Sequence, residues 1–264
     1  FLIALLAMTM VACNQKYYLG LHLTNLDHLP VKSYKSFLRL VTLPESFDSR
    51  NQWPACVHAI RNQQQCGSCW AFAGSEVLSD RFCIASNGAV NVVLSPQYMV
   101  SCDTRNYGCN GGYLDREWYS LEEEGTVSDA CWPYASGSGS VPSCRSSCVD
   151  GSAMKKYKSK ANSLSKMYDV ESIKMEIMAN GPVETGFTVY ADFMSYTGGI
   201  YEHTWGQQEG GHAVKIVGWG VENGVHYWTI ANSWGPYWGE NGFFRIKQGN
   251  CNVDQFVVAG EAAL

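Results

Sequence analysis

The sequence predicts an α+β fold in two lobes, a mainly helical half followed by a mainly β half. Three observations point that way. Residues 68–83 and 113–124 carry apolar side chains at helical spacing, Trp70, Ala73, Val77 and Leu78 in the first and Leu114, Trp118 and Leu121 in the second. Residues 135–151 are rich in Ser, Gly, Pro and Cys, which marks a loop between the halves. Beyond it, residues 213–219 and 225–231 read as strands flanking Asn223-Gly224, a strong hairpin signal.

Taken in order, the first twelve residues, FLIALLAMTMVA, read as the apolar core of a secretory signal, with cleavage near Val11-Ala12-Cys13. Residues 1–13 are therefore expected to be a signal whose own beginning is missing. Residues 14–42 form a basic leader, in which Lys16, Lys32, Lys35 and Arg39 stand against Asp27 for a net of +3. A basic leader ahead of an acidic body suits a detachable pro-segment that docks electrostatically. The body is residues 43–264, mainly helical over about 53–150 and mainly β over about 151–264. The first helix is stopped by Asn87-Gly88, the second by Gly125, and a third over 169–179 by Asn180-Gly181-Pro182. Residues 242–247 and 256–259 add further strands. A cleft between two such halves is the natural place for a site.

Composition excludes several functions. The net charge of −5 disfavours a nucleic-acid partner, which would need a basic face. No apolar run approaches the roughly 18 residues of a membrane span. Eleven cysteines behind a signal imply an oxidising compartment and a disulfide framework. Cys13 falls with the signal, so ten remain. If one of these is a free nucleophile, one more must be unpaired, and Cys251, far from the others, is the candidate.

The run Gln63-Gln64-Gln65-Cys66-Gly67-Ser68-Cys69-Trp70-Ala71-Phe72 places two cysteines at the start of a helical stretch. A helix N-terminus favours the thiolate, so a nucleophile is one reading. Redox and zinc chemistry are the others. No thioredoxin-like βαβ pattern surrounds the pair, and no second CxxC or His-x-His completes four zinc ligands. No metal or cofactor is therefore expected, although a disulfide oxidoreductase using Cys66 and Cys69 stays a rival. A thiol nucleophile needs a base, an orienter for the base and donors for the oxyanion. His212 begins one arm of the Asn-Gly hairpin and Asn232 ends the other, so antiparallel pairing brings both to its open end. Trp234 could cover their bond and exclude water. His58, His203 and His226 carry no such context and receive no role, and Gln63 alone would be a surface residue.

Together, QxxxCGSCWAF, GGHA and ANSWG closely resemble the papain family of cysteine proteases. LPESFDSRNQWPAC, SDRFC, CNGGY, GPVE, GWGVENG, NGFF and VVAG carry a further likeness to its cathepsin B branch, from about residue 43 to the C-terminus. The resemblance implies a papain-like two-lobed fold, a helical lobe whose central helix begins at the catalytic cysteine, and a β-barrel-like antiparallel lobe. It implies Cys69 as nucleophile, His212 as its ion-pair partner and later general acid, and Asn232 as orienter. Gln63 and the Cys69 N–H would form the oxyanion hole. Gly111 and Gly112 would pair with an extended substrate backbone, and Trp234 would line the leaving-group side. The reaction would be peptide-bond hydrolysis through a thioester acyl-enzyme. Disulfides Cys56–Cys83, Cys66–Cys109, Cys102–Cys144 and Cys131–Cys148 follow from the same likeness. So do protein substrates, cystatin-like inhibitors, a monomer, and a lysosome-like or secreted location.

The chain departs from the branch in three places. The segment matching the branch's histidine-bearing occluding loop, residues 132–143, reads WPYASGSGSVPS and has no histidine or internal cysteine pair. An open primed side and endopeptidase activity are expected, with dipeptidyl carboxypeptidase activity or an inactive peptide-binding homologue as alternatives. The base of the S2 pocket falls on Phe256, where the branch often has an acid. With Leu114, Gly186 and Ala213 beside it, the pocket should prefer Leu, Val or Phe to Arg. The leader is short for the branch, yet it could lie in the cleft, and acidification should loosen it.

Overall fold

The computed structural model describes residues 17–39 and 41–264, so the expected signal lies outside the described residues. The body opens with β1 (Phe47–Asp48) and α1 (Ser49–Gln52), where the Asp48 carboxylate caps the helix by accepting from the Arg50 N–H at 2.9 Å. The helical half is then built on α2 (Cys69–Ala85). Its residues from Cys69 to Cys83 are all buried, so the apolar stripe is only one of its packed faces. The others bury Glu76, Asp80 and Arg81. Each is matched by opposite charge: Lys215 Nζ donates to Asp80 at 2.7 Å and lies 3.7 Å from Glu76, and Arg81 reaches Glu176 at 3.0 Å. Buried charges of this kind persist only when paired. The helix ends where Asn87 (φ 52°) and Gly88 (φ 86°) turn left-handed.

α3 (Pro96–Cys102) was not anticipated. Its Ser95 cap accepts from the Tyr98 N–H at 3.0 Å and proline stands in its first turn, a start signal that Ser95-Pro96 carried in the sequence. α4 (Leu114–Glu123) buries Leu114, Trp118 and Leu121 as its spacing requires, together with Glu117. Trp70, Val77, Leu78, Met99, Trp118 and Leu121 form the core of this half. Four disulfides staple it: Cys56–Cys83, Cys66–Cys109, Cys102–Cys144 and Cys131–Cys148.

The second half contains β2 (Ser165–Met167), α5 (Val170–Asn180), β3 (Val183–Tyr190), β4 (Ile200–Tyr201), β5 (Gln208–Glu222), β6 (Val225–Ala231), β7 (Phe243–Lys247) and β8 (Val257–Ala259). Asp169 caps α5, and Gly181 stops it at φ 95°. The β5–β6 hairpin turns through Asn223 (φ 52°) and Gly224 (φ 78°), the left-handed pair that suits strand twist. The strands form one sheet in the order β2-β8-β3-β5-β6-β7-β4, with β1 on β5.

This sheet corrects the expected β-barrel-like antiparallel lobe. It is open, and its β4–β7 pair is parallel. Closure needs edge strands long enough to pair with the right tilt and stagger. Here the edges, β2 and β4, are three and two residues long and do not pair with each other. The core under the sheet is aromatic, with Phe187, Phe193, Trp219, Trp228 and Phe244 buried together. α2 packs against β5 along the seam between the halves, and the site lies at one end of that seam.

Candidate active site

Cys69 is the first residue of α2 and is fully buried. His212 lies on β5, and Asn232 directly follows β6. The hairpin brings their side chains together, His212 Nε2 to Asn232 Oδ1 at 2.7 Å. The same oxygen accepts from the Ser233 N–H at 2.8 Å, which fixes it as the amide's acceptor end. His212 Nε2 must therefore carry the proton, leaving Nδ1 as a bare acceptor. Nδ1 is buried and has no hydrogen-bond partner. Trp234 stacks on the imidazole with ring centroids 4.8 Å apart. Backbone groups of Ala213, Gly20 and Trp70 favour the Cys69 thiolate. Ala213, the residue after His212, shares a buried cluster with Cys69.

Gln63 is completely buried, and its amide is aimed by neighbours the sequence reading did not identify. Ser233 Oγ donates to Gln63 Oε1 at 2.6 Å, which turns the NH2 the other way. That NH2 donates to the carbonyl oxygens of Cys66 and Tyr18, both at 2.9 Å. Tyr134 Oη donates to the Gln63 carbonyl at 2.9 Å and hydrogen-bonds Ser68 Oγ at the same distance. Ser233 stands inside the ANSWG motif, so its position was legible even though its role was not.

Leader residues 17–24 run through this site. Tyr17 stacks on Trp234 at 4.5 Å, and Gly20 passes so close to Gly67 that a Cβ would lie 2.0 Å from its carbonyl oxygen. The leader backbone is then held on both sides. The Leu21 N–H donates to the Gly211 oxygen at 3.1 Å, the Gly112 N–H to the Gly20 oxygen at 2.8 Å, and the His22 N–H to the Gly112 oxygen at 2.9 Å. Gly111, at φ 108°, makes this approach possible, since a Cβ there would meet His22 Nε2 at 2.6 Å.

Leu21 enters the pocket assigned to S2. Gly186 and Ala213 face one another across β3 and β5, and a Cβ on Gly186 would sit 2.4 Å from Leu21 Cδ2. Leu114 is buried in the same cluster as Leu21 and Ala213, and Phe256 packs against it. The structure thus gathers Cys69, His212, Asn232, Gln63, Gly111, Gly112, Leu114, Gly186, Ala213, Trp234 and Phe256 around one leader segment.

Burial sets the electrostatics of the site. Burial pushes the Cys69 thiol up to about 12, and backbone N–H donors offset only part of the shift. Burial likewise pushes His212 down to about 4 despite its bond to Asn232. A helix N-terminus was expected to favour the thiolate, but here desolvation outweighs it. Both groups are neutral in this state.

Residues 132–143 pack against the helical half. Gln97 Oε1 accepts from the N–H groups of Ala135 and Ser136, and the Gln65 N–H donates to the Gly137 oxygen at 2.9 Å. His58 pairs with Asp80 at 2.7 Å and His203 with Asp192 at 3.1 Å, away from the thiol. Cys69 and Cys251 are the unpaired cysteines among the described residues.

The family model described as papain family cysteine protease matches residues 43–261. Cathepsin B-like cysteine proteinase 4 of Caenorhabditis elegans is 43% identical over 269 residues, covering 88% of this chain and 80% of its own length. Cathepsin B-like CP3 of Giardia intestinalis is 43% identical over 221 residues, covering 82% and 74% respectively. Among solved structures, proCathepsin B S9 from Trypanosoma congolense superposes with a TM-score of 0.87 at 33% identity, covering 94% of this chain and 87% of that one. Digestive procathepsin L2 from Tenebrio molitor gives 0.73 at 28% identity over 89% and 74%. The match spans the body and extends into the leader, and this chain belongs to the papain family of cysteine proteases, closely related to its cathepsin B-like members.

Proposed function

We propose that this cysteine protease is an endopeptidase with an apolar P2 preference, stored with residues 17–24 in its cleft. The observation that carries the reading is the unpartnered, buried Nδ1 of His212, held by the Nε2–Asn232 bond next to Ala213, which shares a buried cluster with Cys69. With water and substrate in place of the leader, Nδ1 takes the thiol proton and Cys69 attacks the peptide carbonyl. The developing oxyanion is met by the Gln63 amide and the Cys69 N–H. The leaving amine departs with the proton from His212, and water then hydrolyses the thioester.

Leu21 supports an apolar S2 pocket, because it is buried in one cluster with Leu114 and Ala213, with Phe256 packed against it. An arginine there would be buried without a partner. The packing of residues 132–143 onto Gln97 and Gln65 supports an unobstructed primed side. The leader also runs against the sense of a substrate. A substrate would pass from S2 toward Trp234, whereas the leader passes from Tyr17 at Trp234 to Leu21 in S2. Its peptide bonds are therefore presented backwards.

A secretory route to an acidic compartment or to the exterior fits the disulfides and the expected signal. The body would act on protein substrates as a monomer and be open to cystatin-like inhibitors. The deciding experiment profiles the leader-free enzyme on a peptide library. Internal cleavage with Leu, Val or Phe at P2 is expected. Dominant Arg at P2, or release of C-terminal dipeptides alone, would refute the specificity reading. Failure of an epoxide thiol reagent to label Cys69 would favour an inactive homologue.

A further inference from the structure

Past the cleft, leader residues 26–34 make a second set of contacts whose centre is Glu176 on α5. That carboxylate is 1% exposed. Its Oε1 accepts from Arg81 Nη1 at 3.0 Å, and Arg81 belongs to the body. Its Oε2 is filled by the leader: Tyr34 Oη donates at 2.6 Å and Lys32 Nζ lies at 2.9 Å. Backbone pairing runs alongside. The Lys166 N–H donates to the Pro30 oxygen and the Lys32 N–H to the Lys166 oxygen, both at 2.9 Å, so the leader extends the sheet past its β2 edge. The Tyr34 N–H donates to Ser172 Oγ at 3.0 Å. Leu26 and Leu29 are buried at 5% and 3%. The body groups used here, Lys166, Ser172 and Glu176, have no place in the cleft.

We propose that the body carries a peptide-binding site outside the catalytic cleft, formed by Glu176, Ser172 and the β2 edge. Its occupant is the leader's own extended segment 26–34, recognised through Lys32 and Tyr34. This site holds the leader independently of Leu21 and keeps the cleft segment at high local concentration over the thiol. The inference deepens the zymogen reading and rests on it.

The site also resists acid. The positive charges of Arg81 and Lys32 and the Tyr34 hydroxyl hold Glu176 down at about 2 against the effect of its burial. A carboxylate held low contributes above its unfolded value and loses that contribution only as pH falls toward the folded one. Mild acidification therefore leaves this contact in place, and the leader is freed by cutting the chain.

The test uses the full-length chain with Lys32→Met and Tyr34→Phe together, both on the leader, so that the body's own side chains are untouched. An epoxide thiol reagent should label Cys69 at least about tenfold faster than in the wild type, the loss expected for charge-assisted hydrogen bonds. Lys32→Arg alone should keep the slow rate. Amide exchange at Leu21 and His22 should quicken in parallel, a readout that does not depend on Cys69 chemistry. A smaller rise in labelling, with exchange at those two amides unchanged, overturns the proposal. Absence of labelling in leader-free enzyme would instead sink the catalytic reading and leave the exchange measurement to decide.

Discussion

The two halves of this protein are held by different means. The four disulfides among the described residues lie between Cys56 and Cys148, in the helical half, and residues 165–259 contain none. The β half relies instead on an aromatic core around Phe187, Phe193, Trp228 and Phe244. The difference follows what each half must position. Gln63, Gly111 and Gly112 sit on irregular chain, where few apolar side chains can fix the backbone, and Cys66–Cys109 ties the two loops together. His212 and Asn232 sit on or beside sheet strands, whose ladder already fixes them. Covalent staples serve the loops, and packing serves the strands.

The largest effect should come from breaking the one place where both halves act as a unit. Cys69→Ala and His212→Ala should each lower kcat/KM by about 10⁴-fold or more, and the double variant should be little worse than either. Retention of most activity in His212→Ala would mean that the helical half works alone. Next, Phe244→Ala should destabilise by about 3–5 kcal/mol, read by denaturant unfolding in a Cys69→Ala background that prevents self-digestion. Replacing Cys66 and Cys109 together should cost about 2–4 kcal/mol and show its loss first in amide exchange around Gln63. Equal loosening of the β half would erase the distinction.

The smallest effect concerns the seam. Glu117 of α4 and Glu184 of β3 are both buried and face one another, and Trp118 Nε1 donates to Glu184 at 2.6 Å. Burial raises both, Glu184 to about 8, and Glu117 is raised further by the neighbouring Glu184 carboxylate. A carboxyl whose folded value is raised stabilises fully at low pH and loses that contribution as pH climbs through the folded value. Melting temperature should therefore fall between about pH 5 and pH 8, and Glu117→Gln with Glu184→Gln should flatten that fall. An unchanged slope would remove the seam from the account.

Much of this architecture was legible in local pattern. The stops at Asn87-Gly88, Gly125 and Gly181 and the Asn223-Gly224 turn are steric requirements written into single residues. β3 escaped because it directly follows the Gly181-Pro182 stop and Gly186 interrupts its apolar run. β2 and β4 are too short to carry a period. The barrel expectation failed because closure depends on how edge strands meet, and no strand records that alone. At the site, motif spacing singled out Cys69, His212, Asn232 and Gln63. Ser233 and Tyr134 were missed because a hydroxyl acting across 170 or 71 residues of sequence leaves no local trace. The thiol's upward shift was missed for the same reason, since its cause is burial by parts of the chain distant in sequence.

The Gln63 amide has one further consequence. Its NH2 already grips a peptide oxygen, that of Tyr18, and Ser233 already sets its rotamer. Activation of this protein is then a vacating step with nothing left to assemble. The leader serves as a mould that keeps the donor at working geometry throughout storage. Activity should therefore appear in step with leader departure, without a lag for folding or loop ordering.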